Sequence, residues 1–255
     1  MTRKPTLWWV ALLALLASPL TAEVVFEDPT GDDNGPGSYV YPTDAVYGAG
    51  SFDLIKFKFD GDAKKAKVEV TVNTNLDDPW GMDVGFSTQM AFIFIDNAPG
   101  GFTEAPPGLN VQFAEGSEWD KLIILSPQQK ARVLQEVEAK MDKMAEAVIV
   151  PTRTRGNGRV ISGSVKGIGG EGDPSTWGFQ VVMQSNEGFP ADGDLMTRRV
   201  NEFEGQHRFG GGNDYMCDPH VMDLLGDQAA QLAHECTADG EATKMATLTM
   251  QKAGS

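Results

Sequence analysis

The chain has 255 residues and carries 36 acidic against 21 basic side chains, a formal net charge of −15 at pH 7, which works against nucleic-acid and anionic-membrane binding. The same acidity suits a solvated extracellular surface or divalent cations and, most simply, keeps an exported chain soluble. With 41 % apolar residues the core can be large, and the length suits one big domain or two small ones.

Arg3 and Lys4 precede an apolar run from Leu7 to Ala17, and Ser18-Pro19-Leu20-Thr21-Ala22 comes next. That is the layout of a secretory signal peptide, with Ala22 the expected last residue removed. The run is shorter than the ~20 residues of a transmembrane helix, so stable membrane insertion is not expected. The reading is a leader over 1–22 and one exported domain over 23–255, periplasmic or extracellular.

Strands and turns dominate the remainder of the chain. Val24-Val25-Phe26 reads as a short first strand. Phe52–Phe59 and Ala66–Val72 alternate apolar and polar residues around Asp60-Gly61-Asp62, the pattern of an antiparallel hairpin with one wet face. Met90–Ile95 is almost continuously apolar and reads as a central strand buried on both faces; Leu122–Leu125 is similar. Ser126, Pro127 and Gln129 have the spacing of a helix N-cap, a first-turn proline and a capping-box glutamine. Leu134, Val137, Met141 and Met144 continue at helical spacing, so an amphipathic helix is expected from Pro127 to Met144. Val148–Val150 and Val160–Val165 flank Gly156-Asn157-Gly158, a hairpin signal. Trp177–Met183 is a further strand, Asp227–Glu235 a possible second helix, and Thr247–Met250 a candidate closing strand. The expected fold is all-β, an antiparallel β-sandwich with one inserted amphipathic helix.

Three constellations carry chemistry. Asp28, Asp32, Asp33 and Asn34 lie within seven residues among glycines, and hard cations such as calcium take six to eight oxygens. Asp53 and Asp96, at strand ends, are candidates to complete such a structural site, although the same loop also suits an Asx-capped turn. Tyr39, Tyr41, Tyr47, Trp80, Trp119 and Trp177 lie in or beside loops. Trp80, with Asp77 and Asp78 beside it, has the stacking face and hydroxyl-binding groups of a sugar site, and Tyr39 and Tyr41 are further candidates; Trp119 and Trp177 read as core. Cys217 and His220, with His234 and Cys236, match a tetrahedral zinc set, or the only two cysteines pair as a disulfide. An oxidising compartment favours the disulfide, which leaves His220 and His234 as surface histidines. No nucleophile elbow, metalloprotease helix or P-loop is present in the sequence, and no glycosidase carboxylate pair can be picked out of so acidic a chain.

The opening run Asp28-Pro29-Thr30-Gly31-Asp32-Asp33-Asn34-Gly35-Pro36-Gly37, with Tyr39, Tyr41-Pro42-Thr43 and Phe52-Asp53-Leu54, resembles the start of the C-terminal binding-module family of glucodextranase. Shorter matches continue in order, including Gly85-Phe86-Ser87, Ile95-Asp96, Trp119-Asp120, Trp177-Gly178-Phe179, Arg208–Gly212 and Asp223-Leu224-Leu225. The family resembles family-9 carbohydrate-binding modules and DOMON-like sandwiches. The resemblance implies an immunoglobulin-like or jelly-roll sandwich with no catalytic residues that binds carbohydrate or cell-envelope glycan. Two alternatives stay open. One is a haem-binding electron-transfer subunit of DOMON type; the other is a structural subunit of a surface assembly, with a protein partner.

Overall fold

The computed structural model describes residues 21–213 and 217–253; of the leader expected over 1–22, residues 1–20 lie outside the described residues and Ala22 stands at the start of the first strand. In chain order the strands are β1 (Ala22–Glu27), β2 (Leu54–Gly61), β3 (Lys65–Val72), β4 (Gln89–Asp96), β5 (Val111–Phe113) and β6 (Lys121–Leu125). Helix α1 (Lys130–Lys140) comes next, then β7 (Val148–Ile149), β8 (Thr154–Asn157), β9 (Val160–Lys166), β10 (Gly178–Ser185) and β11 (Asp223–Leu224). The chain ends with α2 (Gln228–Gln231), β12 (Glu235–Cys236), β13 (Ala242–Lys244), β14 (Ala246–Leu248) and β15 (Gln251–Lys252).

The fold is an all-β sandwich. One sheet has the order β1-β2-β3-β9-β8, and the other runs β11-β10-β4-β6-β7 with β15 also paired to β10. The first sheet alternates as its sequence requires. On β3, Ala66, Val68, Val70 and Val72 point inward while Lys65, Lys67, Glu69 and Thr71 face out. The second sheet is different, because every residue of β10 is buried and so is all of β4 but Asp96. One face of it packs on the first sheet through Phe57, Phe59, Ile93, Phe179 and Val181. The other packs Phe92, Phe94, Leu122 and Val182 beneath Val133, Val137 and Met141 from the helical segment and Val111 and Leu248 from β5 and β14. Trp119 and Trp177 are core residues, 0 % and 2 % exposed.

Several sequence expectations are corrected. The helix begins at Lys130, not Pro127. Ser126 Oγ accepts the Gln128 N–H at 3.1 Å, a local turn that uses up the hydroxyl before it can cap a helix, and Gln129 is extended at φ −62°, ψ 140°. The helix ends at Lys140, before Asp142 turns left-handed at φ 43° and a 3-10 stretch covers Asp142–Ala147. The second helix is a single turn capped by Asp227, whose Oδ1 accepts the Ala230 N–H at 3.0 Å. The hairpin partner of β9 is β8, with Asn157 opposite Val160; β7 instead crosses to the second sheet and runs parallel to β6. The segment expected to close the sheet splits in two. β14 pairs in parallel with β5, outside both main sheets, and β15 pairs with β10.

Cys217 and Cys236 form a disulfide, which excludes a zinc set on their sulfurs. His220 is not a surface histidine: it is 1 % exposed. The disulfide ties the segment carrying β11 and α2 to the β12–β13 ribbon across a sequence separation of 19 residues. Closing a loop of that size removes unfolded-state freedom worth roughly 3 kcal/mol. A Cys217→Ser/Cys236→Ser double variant is therefore expected to unfold at lower denaturant, by about that free energy. An unchanged midpoint in equilibrium urea unfolding would show that the bridge adds nothing.

Candidate functional site

Between β1 and β2 the chain leaves the sandwich as a long loop, residues 28–53, and is anchored against residues 217–228. The Gly35 N–H donates to Met222 O at 2.9 Å, and the Tyr39 hydroxyl donates to Pro219 O at 2.7 Å. Gln228 Nε2 donates to the carbonyls of Asp32 and Gly35, and the Gly226 N–H donates to Asp28 Oδ1 at 2.8 Å. Gly35 is required here. It sits at φ 59°, and a Cβ would lie 2.1 Å from the Tyr39 ring. Beneath the loop, Tyr39, Tyr47, Phe52, Phe209, Val200 and Met222 form an aromatic-rich cluster separate from the sandwich core.

At one end of that cluster carboxylates converge. Asp28, Asp32 and Asp223 each offer an oxygen, all within 4.8 Å of one another. Sequence spacing does not single out Asp223 as a ligand, because it arrives on β11 nearly two hundred residues later. It is 0 % exposed and accepts the Leu54 N–H at 2.6 Å and the Leu224 N–H at 2.7 Å. Asp53 stands beside the group, 1 % exposed, with Oδ2 accepting from the Gly31 N–H at 2.8 Å and Asn73 Nδ2 at 2.9 Å. Its Oδ1 is buried with no partner, as are Asp28 Oδ2 and Asp32 Oδ1. Burial, with the neighbouring carboxylates adding to it, pushes Asp28 up to about 7 and Asp223 up to about 9; Asp32 and Asp33 are raised for the same reasons.

Of the residues expected at the metal, Asp28, Asp32 and Asp53 come together. Asp33 turns aside to accept the Tyr41 hydroxyl. Asn34 lines the same cleft and accepts the Gly37 and Tyr39 N–H groups on its carbonyl. Asp96 is a correction. It pairs with Gly178 at one end of β10, whereas Asp223 pairs with Met183 five residues along, roughly 16 Å at strand rise. Its neighbours there are Lys252, at 3.9 Å, Asp120 and Glu118.

The expected sugar-binding residues divide in the same way. Tyr39 is 6 % exposed and spent on packing, and Tyr41 gives its hydroxyl to Asp33 while its ring packs on Phe52 and Phe209. Asp78 caps a turn, accepting the Met82 N–H at 2.8 Å and the Asp83 N–H at 2.9 Å, and Asp77 accepts the Asp78 N–H at 2.8 Å. Trp80 is half-buried at the far edge of the aromatic cluster, edge-on to Tyr47 and His207, with the Arg198 guanidinium 5.9 Å from its ring centre. Neither Tyr39 nor Tyr41 presents a free ring face beside it.

A profile of the SLH-like C-terminal binding module of glucodextranase matches residues 24–250. The chain belongs to that family. No curated protein sequence matches it. The family is a binding module and not a catalytic domain, and among the described residues no helix is long and apolar enough to cross a membrane.

His220 lies under the same loop. The Val200 N–H donates to its Nδ1 at 3.1 Å, so that nitrogen is unprotonated, and Nε2 is buried without a partner. Burial holds the ring down to about 4, with Asp194 pulling up and Arg199 pushing down. A folded-state value below the unfolded ~6.5 means that the unfolded chain binds one more proton between pH 6.5 and 4. The contribution is intact above pH 6.5 and drains away as pH falls toward 4, at up to about 1.4 kcal/mol per pH unit. A His220→Asn variant, which keeps an acceptor for Val200, is expected to lose that share of the slope in a urea-unfolding series over this range. Identical slopes for both proteins would mean that the histidine titrates normally when folded.

Proposed function

We propose that the protein is an exported, non-catalytic module that binds carbohydrate or a cell-envelope glycan, and that a calcium ion ties its N-terminal loop to β11. The observation that carries the binding role is the family match, which spans nearly the whole described chain. The disulfide fits an oxidising compartment outside the cytoplasm.

The calcium reading rests on the donor set. Asp28, Asp32 and Asp223 converge from distant parts of the chain, and Asp28 Oδ2, Asp32 Oδ1 and the neighbouring Asp53 Oδ1 are buried without a partner. Buried like charges are costly unless protonated or matched by a cation, and an all-oxygen set suits a hard one. Asp53 would hold the loop behind these ligands through Gly31 and Asn73. The ion would therefore act on stability and loop order, with any effect on glycan binding passing through the loop.

The cation is tested by thermal unfolding after chelation and again with calcium restored. Calcium at a hundred times its dissociation constant is expected to stabilise by ~2.7 kcal/mol and to raise Tm by several degrees. Asp28→Asn should lose that response while remaining folded, since it keeps a carbonyl oxygen for the Gly226 N–H. Asp223→Asn should lose it too, but at a cost in stability, because Asp223 accepts Leu54 on one oxygen and Leu224 on the other and an amide keeps only one acceptor. A Tm indifferent to calcium would remove the ion from the reading and leave glycan binding untouched. Glycan binding is tested by retention on a panel of neutral and acidic polysaccharides, and retention on none of them would refute it.

A further inference from the structure

The outward face of the first sheet is divided by charge. On the β1–β2 side each lysine meets an acid: Lys56 pairs with Glu27 at 2.8 Å and Lys58 pairs with Glu23. Lys67 on β3 marks the boundary, paired with Glu69 on its own strand and opposite Asp60 on β2. Beyond β3 the acids stop. Lys65 lies opposite Lys166, Arg155 lies opposite Ser162, and Arg153 and Lys130 stand alongside. These five cations are exposed and, among the described residues, face no carboxylate in an ion pair, in a chain whose net charge is −15.

Lys65, Lys130 and Lys166 border an open groove of about 670 Å³ between the β3–β9 pair and the start of α1. Its neighbouring depressions run on across Thr152, Arg153 and Arg155, so the basic surface is continuous from Lys65 to Arg155. Asp60 is the one acid among the described residues lining it. Helix α1 opens onto the same place at Lys130, with no acid in its first turn and no side chain on its cap. Cations at a helix N-terminus oppose its dipole, so this arrangement costs the fold and raises the local positive potential. At physiological salt, charges more than ~8 Å away are largely screened, so an approaching anion meets the groove and not the acidic remainder.

We infer that this groove binds an acidic polysaccharide. The inference rests on the glycan-binding reading above and names its ligand class and its surface. The cations are spaced along and across strands for a polymer carrying repeated anionic groups, and Ser162, Ser164 and Thr152 between them offer hydroxyls to sugar hydroxyls. Among the described residues the lining holds no aromatic ring on which a nucleobase would stack.

The test compares the wild-type protein with a Lys65→Ala/Arg155→Ala/Lys166→Ala triple variant and with Lys56→Ala, a lysine on the paired side. Each is titrated with polygalacturonate, with neutral dextran, with duplex DNA and with anionic phospholipid vesicles, at 0.05 M and 0.5 M NaCl. The expected result is binding to polygalacturonate that weakens with salt, falls about a hundredfold in the triple variant, or roughly fivefold per cation, and is unchanged in Lys56→Ala. Unaltered Tm values would confirm that these exposed substitutions leave the fold intact. Binding of dextran alone, or polygalacturonate binding equal in wild type and triple variant, would overturn the inference while leaving the binding module standing. Binding to neither polysaccharide would overturn the inference, and retention on none of the wider panel would overturn the glycan reading with it. Equal affinity for DNA or vesicles would reduce the groove to a charge-only surface and overturn the glycan assignment.

Discussion

Strand β10 shows no side chain to water, and β4 shows only its last. A sheet with two such strands at its centre must be covered on both faces, and that requirement organises the molecule. The first sheet supplies one cover. The other is assembled from unlike pieces, namely α1, the 3-10 stretch behind it and the parallel β5–β14 pair. Polar residues trapped in the central strands are satisfied in place. Gln180 donates to the carbonyls of Leu225 and Thr249 and to Gln231 Oε1, which binds β10 to the segments crossing it. The inserted helix is therefore part of the wall of a three-layer body.

The N-terminal loop meets a different constraint. It has little aliphatic material of its own, so it is held by aromatic rings below and by polar contacts at its ends. Asp28, Asp32 and Asp223 bring the start and the late part of the chain to one point, and Tyr39, Gly35 and Gln228 fasten the same two segments. A cation bound there, as proposed, and the packing beneath it would be mutually supporting. Either one would reduce the cost of ordering the other.

Much of the sandwich is legible in the sequence because burial imposes a period. Alternation marks β2 and β3, and unbroken apolarity marks β4. Where no period operates, the sequence misleads. Val148–Val150 has the composition of a hairpin strand, but its partner is decided by β6 across the core, and the loop residues Thr154–Asn157 form the hairpin instead. The capping pattern at Ser126 is locally consistent and is defeated by a hydroxyl that bonds two residues on. At the carboxylate cluster, short-range spacing finds Asp28 and Asp32. Asp223 carries no local mark beyond its place in the family's sequence, since its role depends on β11 lying beside β10. Asp96 fails for the converse reason: a strand-end aspartate reads alike at either end of a sheet. The basic groove is hidden for a related reason, because its cations are scattered among β3, β8, β9 and α1 in a chain whose composition is acidic.

The pairing of β5 with β14 has a temporal side. Residues 111–113 wait for residues 246–248, and β10 waits for Gln251–Lys252. In a chain delivered N-terminus first, α1 is present early to cover its part of the outer face of the central sheet, but β5 stays unpaired until residues 246–248 have emerged. The second cover of the central sheet is therefore completed by its most sequence-distant pairing, and a half-delivered chain leaves β5 without its partner.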